Sequence, residues 1–173
     1  MSDILIAYFS MKGQTIGPGM KIINVEKGNT AYVAEFIKDV VGGDLYEIKT
    51  KKKYSPDHMK LIHEAKDEIE RGERPELIEL PESIARYDTV FLGYPNWWAT
   101  LPMPVVSFLE HYDWTGKRVI AFCTSEGSGF SHSVDDIKKH CKGANVEKGI
   151  HIIGSTAAAA REQVTAWAKK IIL

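Results

Sequence analysis

Short apolar runs alternate along the chain with segments that have helical periodicity. The first run, Ile4 to Phe9, is nearly all apolar, which is typical of a central strand of a parallel sheet that is buried on both faces. Because strands that alternate with helices form parallel sheets covered by helices, the pattern predicts an α/β fold. The predicted strands cover residues 4–9, 44–48, 89–94, 119–123 and 150–153. The predicted helices cover residues 29–41, 57–74, 104–111, 134–140 and 157–171.

Five strands and five helices in this order fit a doubly wound sheet. Ligands of such sheets bind outside the carboxyl ends of the strands, at the point where the strand order reverses. The segments that follow strands one, three and four are 10–30, 95–100 and 124–129, and we expect them to meet. With 173 residues and 44% apolar composition, the chain suits a single domain over residues 1–173.

Charge and composition argue against several classes of partner. The net charge of -1 and the pI of about 6.6 give no reason to expect a nucleic-acid partner. One basic cluster, Lys49 with Lys51, Lys52 and Lys53, lacks interleaved aromatic residues and is interpreted as a solvated loop. No apolar stretch approaches the roughly 20 residues of a membrane helix, and the N-terminus has no basic region or cleavage site. We therefore expect a cytoplasmic protein without a membrane partner.

The two cysteines, Cys123 and Cys141, have neither CxxC nor zinc-ligand spacing. Cys123 lies in an apolar run, where a small buried residue is expected. We predict reduced structural thiols and no metal site.

The stretch "YFSMKGQT", residues 8–15, resembles the start of a phosphate-binding loop, but Gly17-Pro18-Gly19 then favours a turn over a helix. A helix pattern begins only after Gly28-Asn29-Thr30, so we expect Ser10 and Asn29-Thr30 to meet around one phosphate. Residues 13–26 would then bulge outward as a small hairpin or flap, an insertion of about residues 13–27. Alternatively, Asn29-Thr30 is only a helix cap.

Two adjacent tryptophans, Trp97 and Trp98, follow the third strand. Neighbouring residues at a strand end point in opposite directions, so one ring is expected to pack inward and the other to face a planar ligand. After the fourth strand, "TSEGSG" (residues 124–129) combines hydroxyl groups with glycines that allow a close backbone approach to a flat ligand. Either loop alone is a weak signal, and the three loops together indicate a binding site.

Four stretches together resemble the flavodoxin family, in a form with an enlarged phosphate-binding loop. They are "AYFS" with the later "GNT", "FLGYPNWWATLPMPVVSFLE", "DWTGKRVIAFCTSEGSG" and "SVDDIKK". The resemblance implies a flavodoxin-like three-layer sandwich, with a five-stranded parallel sheet in the order 2-1-3-4-5 and helices on both faces. It also implies non-covalently bound FMN. By position, the phosphate would be held by Ser10, Asn29 and Thr30, with Lys12 and Thr15 as contributors. One side of the flavin ring would be lined by Pro95, Asn96, Trp97, Trp98 and Ala99. The ring edge would be met by Thr124, Ser125, Glu126, Gly127, Ser128 and Gly129.

Two departures from the family pattern bear on function. The loop after strand four has no tyrosine to stack on the flavin, since the nearest aromatic residue is Phe130, so that flank would be open to a substrate. The chain also lacks the acidic field that steers electron-carrier flavodoxins to basic partners. The leading hypothesis is an FMN-dependent oxidoreductase of the NAD(P)H:quinone type, which reduces a quinone or similar flat acceptor. The alternatives are a non-enzymatic electron carrier to a protein partner and a flavin-free binding module.

No residue is assigned a catalytic role, because the cofactor supplies the chemistry. His132, Asp135 and Asp136 lie near the expected site. They are interpreted as the start of a helix, with Ser133 as its cap and the acids favourable to the helix dipole.

Overall fold

The computed structural model describes residues 3–173, which contain nine strands and five α-helices. The strands are β1 (Ile4–Tyr8), β2 (Gly13–Ile16), β3 (Ile22–Val25), β4 (Asp44–Glu47), β5 (Lys49–Thr50), β6 (Leu77–Ile78), β7 (Thr89–Pro95), β8 (Arg118–Ser125) and β9 (Asn145–Ile153). The helices are α1 (Asn29–Val41), α2 (His58–Arg71), α3 (Met103–His111), α4 (Ser133–His140) and α5 (Arg161–Ile171). Short 3-10 turns cover Pro18–Met20 and Gly154–Ala159.

Five of the strands form one parallel sheet in the order β4-β1-β7-β8-β9. This is the order 2-1-3-4-5 of the five main strands, so the predicted flavodoxin-like fold is confirmed. Successive residues of β1 point to opposite faces of the sheet and pack in two different hydrophobic clusters. Leu5 and Ala7 pack in the cluster that includes α3 and α4, whereas Ile6 packs in the cluster with α1 and α5. The sheet is therefore the middle of three layers.

The segment between β1 and α1 forms the predicted hairpin. Strands β2 and β3 pair in antiparallel fashion, with Gln14 opposite Asn24 and Ile16 opposite Ile22. The hairpin does not simply bulge outward as expected. The Gln14 amide N–H donates to the Pro56 carbonyl at 3.1 Å, and the Gln14 side-chain oxygen accepts from the His58 N–H at 3.0 Å. The hairpin is thus fastened to the start of α2.

A second excursion, from β5 through α2 to β6, leaves the main sheet. Its two-stranded ribbon of β5 and β6 was not predicted, because each strand has only two residues. The Asp57 side chain caps α2 by accepting from the Lys60 N–H at 3.0 Å. The interpretation of the lysine cluster as a solvated loop was incomplete, because Lys52 forms an ion pair with Glu68, whose side chain is only 2% exposed.

The last strand and the last helix differ most in extent from the prediction. The last strand, expected at 150–153, begins at Asn145, and Arg118 and Glu147 form an ion pair across it. The first part of this strand was not predicted, because an edge strand is only partly buried and therefore contains polar residues. The last helix, expected at 157–171, is interrupted. A 3-10 turn covers Gly154–Ala159 and α5 starts at Arg161, and the Ser155 amide at the start of the turn donates to the Glu126 carboxylate.

The two helix caps expected from the sequence were also wrong. Gly28, not Asn29, precedes α1, and Asn29 is its first helical residue. Likewise His132 precedes α4, and Ser133 lies inside the helix. The Ser133 hydroxyl donates to the Phe130 carbonyl at 2.6 Å and lies 2.8 Å from the Tyr94 hydroxyl, so it ties the helix to the sheet instead of capping it.

Candidate functional site

A cavity of about 680 Å³ opens at the carboxyl end of the sheet. It brings together the three loops that follow β1, β7 and β8, as the doubly wound topology requires. The predicted site residues that line it are Thr15, Asn29, Thr30, Pro95, Asn96, Trp97, Trp98, Ala99, Thr124, Ser125, Glu126 and Ser128. The predicted residues that do not line it are Ser10, Lys12, Gly127 and Gly129. Of these four, Lys12 and Gly127 are exposed to solvent.

Ser10 does not line the cavity and lies against the start of α1. Its hydroxyl oxygen accepts from the Ala31 N–H at 3.1 Å. The contact requires Gly28, because a Cβ atom there would lie 2.1 Å from the Ser10 hydroxyl oxygen and 2.6 Å from the Met11 carbonyl oxygen. The end of β1 and the start of α1 therefore lie together as the sequence predicts, and Gly28 leaves the space for this contact.

The first turn of α1 is joined to the end of β8. The hydroxyl oxygens of Thr30 and Thr124 are 2.8 Å apart, and both residues are buried. Asn29, beside them, lies close to Gly154, where a Cβ atom would be 2.7 Å from the Asn29 side-chain nitrogen. The N-terminal amides of a helix lack partners within the helix and favour negative charge. This end of the cavity is therefore suited to an anion.

A second cavity, of about 460 Å³, adjoins the first beneath the hairpin. The two share Thr15, Ile16, Asn29 and Gly154 in their walls. Lys27 lines only the second cavity, where its ammonium group forms an ion pair with Glu35.

The loop after β7 is held in an uncommon backbone conformation. Trp98 and Ala99 have φ values of 55° and 68°, in the left-handed region that costs non-glycine residues on the order of 1–3 kcal/mol each. Asn96 stabilises this conformation, because its side-chain oxygen accepts from the Ala99 N–H at 3.0 Å and its side-chain NH₂ donates to the Gly129 carbonyl at 2.8 Å. Asn96 thus fixes the loop after β7 to the loop after β8.

The two tryptophans differ in environment, as the sequence predicts. Trp97 is partly buried and packs edge-to-face on Phe9 and Tyr54, with ring centroids 5.3 Å and 5.5 Å apart. Trp98 is 49% exposed, and its indole N–H donates to the Ile62 carbonyl on α2 at 2.8 Å. Both rings border the cavity.

The Tyr54 hydroxyl is in turn hydrogen-bonded to the buried carboxylate of Glu68. It donates to both carboxylate oxygens, at 2.7 Å and 2.9 Å. Burial, followed by this acidic partner, raises the pKa of the Tyr54 hydroxyl. Lys52 neutralises the Glu68 charge, so a continuous set of polar contacts supports the ring on which Trp97 rests.

Ser125 joins the loop after β8 to the edge strand. Its hydroxyl oxygen accepts from the Gly129 N–H at 3.1 Å and lies 2.7 Å from Nε2 of His151. Burial lowers the pKa of His151, which favours the neutral imidazole. The conformation of residues 125–129 is therefore fixed by contacts within the loop and by β9.

The Glu126 carboxylate is directed at Ser155. One carboxylate oxygen accepts from the Ser155 N–H at 2.6 Å, and the other accepts from the Ser155 hydroxyl at 3.0 Å. Phe130 is 6% exposed and contacts His151 edge-to-face, so it packs in the core and does not cover the cavity.

Sequence reasoning missed one side of the cavity. Helix α2 was expected to be a surface helix, but Leu61, Ile62 and Ala65 line the cavity, together with Ile16 and Met20 of the hairpin region. The signal was present as the apolar stripe of α2. What the stripe faces is decided by packing between segments that are distant in sequence.

Other kinds of site receive no support over residues 3–173. In that part of the chain, no group of three or more His, Cys, Asp or Glu residues could hold a metal ion. The two cysteines are free and buried, and burial raises the pKa of each thiol to about 12. None of the described helices has the length and apolar character needed to cross a membrane.

Comparison with known proteins agrees with this fold. A family model described as Flavodoxin matches residues 3–171. No curated protein sequence matches significantly. Among solved structures, one from Bacteroides uniformis ATCC 8492 that is described as a flavoprotein has 31% sequence identity and a TM-score of 0.75, with 97% of this chain and 98% of that chain covered. One from Bacteroides eggerthii DSM 20697, also described as a flavoprotein, has 30% identity and a TM-score of 0.77, with 100% and 99% covered.

A more distant structure has the same fold. It is that of a flavoprotein from Lactobacillus acidophilus NCFM in complex with FMN, with 20% identity, a TM-score of 0.65, and 97% of this chain and 99% of that chain covered. The match of the family model over nearly the whole chain shows that this protein belongs to the flavodoxin family.

Proposed function

We propose that this protein binds FMN non-covalently in the 680 Å³ cavity and acts in electron transfer. The observation that carries the proposal is the convergence of three loops at the carboxyl edge of a flavodoxin-family sheet. Two relatives near 30% identity are described as flavoproteins, and the distant Lactobacillus acidophilus relative was crystallised with FMN. These relatives support the choice of cofactor.

The phosphate group would lie at the first turn of α1. Asn29 and Thr30 supply amide and side-chain donors there, and the helix dipole favours the dianion. The Ser10 hydroxyl accepts from the Ala31 N–H and keeps its own hydrogen free to donate. Lys12 and Thr15 stay as contributors, Lys12 from the exposed part of the loop and Thr15 from the cavity wall.

The flavin ring would lie between the loop after β7 and the loop after β8. Pro95 to Ala99 would line one side, and residues 124–129 would meet the ring edge. The contacts of Asn96 and Ser125 hold these two loops in place without a ligand, which reduces the entropy lost on binding. Glu126 would bring less of its negative charge to the ring, because Ser155 donates a hydrogen bond to each of its carboxylate oxygens.

We propose further that the protein is an oxidoreductase that reduces a quinone or a similar flat acceptor. When bound, FMN supplies the electron-transfer chemistry, and the residues of the chain bind and orient the ring and exclude water from it. In the overall reaction, a hydride from NAD(P)H and a proton from solvent convert the quinone to the hydroquinone. The net charge of -1 supports a small-molecule acceptor, because flavodoxins that carry electrons to basic proteins use a strong acidic field.

A flavin titration tests the proposal. Purified apoprotein incubated with FMN should give a flavin absorbance spectrum that stays with the protein on gel filtration. A preparation that takes up no FMN would leave only the flavin-free binding module. If FMN binds, NADH and NADPH oxidation is measured with a quinone, and turnover no faster than that of free FMN would favour a non-enzymatic carrier.

The exposed tryptophan gives a site-specific test. Trp98→Ala should weaken FMN binding by at least about fivefold, because a stacked ring pair contributes roughly 1 kcal/mol beyond the area that it buries. Trp97→Ala should also weaken binding, but with a loss of stability, because Trp97 packs on Phe9 and Tyr54. Affinities are measured by flavin fluorescence. Trp167→Phe, at a ring that contacts Phe91 on the other face of the sheet, is the control and should bind FMN normally.

A further inference from the structure

We infer that the cavity contains a second subsite, which selects an uncharged planar aromatic acceptor over an anionic one. The subsite is the apolar wall formed by Ile16, Met20, Leu61, Ile62, Ala65 and Trp98. The inference rests on the proposed function, because it names the class of substrate that the flavin would reduce.

The apolar wall differs in chemistry from the rest of the cavity. Around Asn29, Thr124 and Ser125 the cavity is lined by hydroxyl and amide groups. The wall, by contrast, has five aliphatic or thioether side chains and one indole, whose only N–H is already bonded to the Ile62 carbonyl. A ligand on this wall gains from burial of apolar surface and from contact with a ring face, and not from new hydrogen bonds.

The wall is built from segments that hold one another in place. Gln14 fastens the hairpin to the start of α2 through two hydrogen bonds, to Pro56 and His58. The Trp98 indole bonds to α2 one turn further along. The hairpin, α2 and the loop after β7 therefore form one continuous surface before any ligand arrives.

The charges near the wall disfavour an anion. Over residues 3–173, no lysine or arginine lines the cavity. The N-terminus of α2 would ordinarily attract an anion, but the Asp57 carboxylate already occupies it, and the His58 amide is bonded to Gln14. The ammonium group of Lys66 lies 5.3 Å from the centre of the Trp98 ring and is also 3.9 Å from the Glu70 carboxylate.

His58 is the titratable side chain of α2 that borders the cavity, and Glu126 borders it from the opposite side. The Glu126 carboxylate accepts hydrogen bonds from Ser155 and offers an anion no favourable partner. An acceptor with a sulfonate or carboxylate on its ring would therefore lose its hydration without gaining a charged partner.

A matched pair of probes tests this inference. We would measure binding of 1,4-naphthoquinone and of 1,4-naphthoquinone-2-sulfonate to the oxidised, FMN-loaded protein by equilibrium dialysis. The wild type should prefer the uncharged probe by at least about tenfold. Ile62→Lys places a cation on the wall and should reduce this preference by about tenfold, whereas Ile62→Glu should increase it.

Met59→Lys is the control, because Met59 is 53% exposed on the same helix and does not line the cavity. It should leave both affinities unchanged, and all three variants are saturated with FMN before the probes are added. Equal binding of the two probes to the wild type would overturn the inference, as would an equal effect of Met59→Lys and Ile62→Lys. Failure to load FMN would instead overturn the proposed function, and flavin absorbance reports it separately.

Discussion

At the scale of single residues, Gly28 determines how closely the strand end and the helix start approach. Its φ of -68° and ψ of 153° are open to any residue, so its role is not conformational freedom. The constraint is space, because the Ser10 hydroxyl and the Met11 carbonyl occupy the volume that a side chain would need.

Gly28→Ala should therefore weaken FMN binding by at least about tenfold while the protein stays folded. The added methyl group must displace Ser10, which we propose as a phosphate ligand. Riboflavin, which lacks the phosphate, is the control ligand and should bind the variant as it binds wild type. Equal weakening for riboflavin and FMN would show that the substitution disturbs the whole cavity and not its phosphate end.

At the scale of elements, α2 is the part of the fold whose role changed most between sequence and structure. Its charged residues suggest a solvated surface helix, yet Leu61 and Ala65 are buried against the cavity and Glu68 is buried in an ion pair. Helix α2 has 14 residues, and the hairpin is hydrogen-bonded to its first residue through Gln14. Its stability therefore bears on the shape of the cavity.

Loss of the cap of α2 should have a measurable cost. Asp57→Ala removes the acceptor of the Lys60 N–H and should lower the free energy of unfolding by about 1 kcal/mol, measured by urea denaturation. Asp67→Ala changes an exposed residue in the middle of the same helix and should be neutral or slightly stabilising. A similar loss in both variants would contradict the capping role of Asp57.

At the scale of the whole molecule, His151 couples the edge strand to the loop after β8. Burial lowers its pKa in the folded state below the value near 6.5 of an unfolded chain. The unfolded state therefore binds the proton more readily, and stability falls as the pH decreases through about 6.5. Above about pH 7.5 this penalty is absent.

His151→Gln should flatten the dependence of stability on pH between 7.5 and 5.5, because glutamine does not titrate. Urea denaturation at several pH values measures this dependence. His63→Gln, at an exposed position on α2, is the control and should keep the wild-type slope. An unchanged slope in His151→Gln would mean that other groups carry the pH dependence.

Much of the fold could be predicted because it depends on local pattern. The apolar run from Ile4 to Phe9 must be covered on both faces, and it is. The hairpin was predicted because Gly17-Pro18-Gly19 favours a turn and the segment from Met20 to Val25 is apolar enough to pack as a small hairpin or flap. Strand β9 was underestimated because its polar residues are satisfied by a partner strand, as Arg118 satisfies Glu147.

The sequence by itself determined the strands and the three loops at their carboxyl ends, because periodicity and turn residues act over short stretches of chain, whereas the order of the strands was implied by the resemblance to the flavodoxin family. Only the tertiary structure decided what those loops enclose. Thr30 and Thr124 are 94 residues apart in sequence, yet their hydroxyl groups are in contact. The indole N–H of Trp98 donates to the carbonyl of Ile62, 36 residues earlier. Such contacts depend on how the helices pack on the sheet and on where the hairpin and α2 lie, and no local sequence pattern specifies them. The apolar wall, from which we infer the class of acceptor, is a product of that packing.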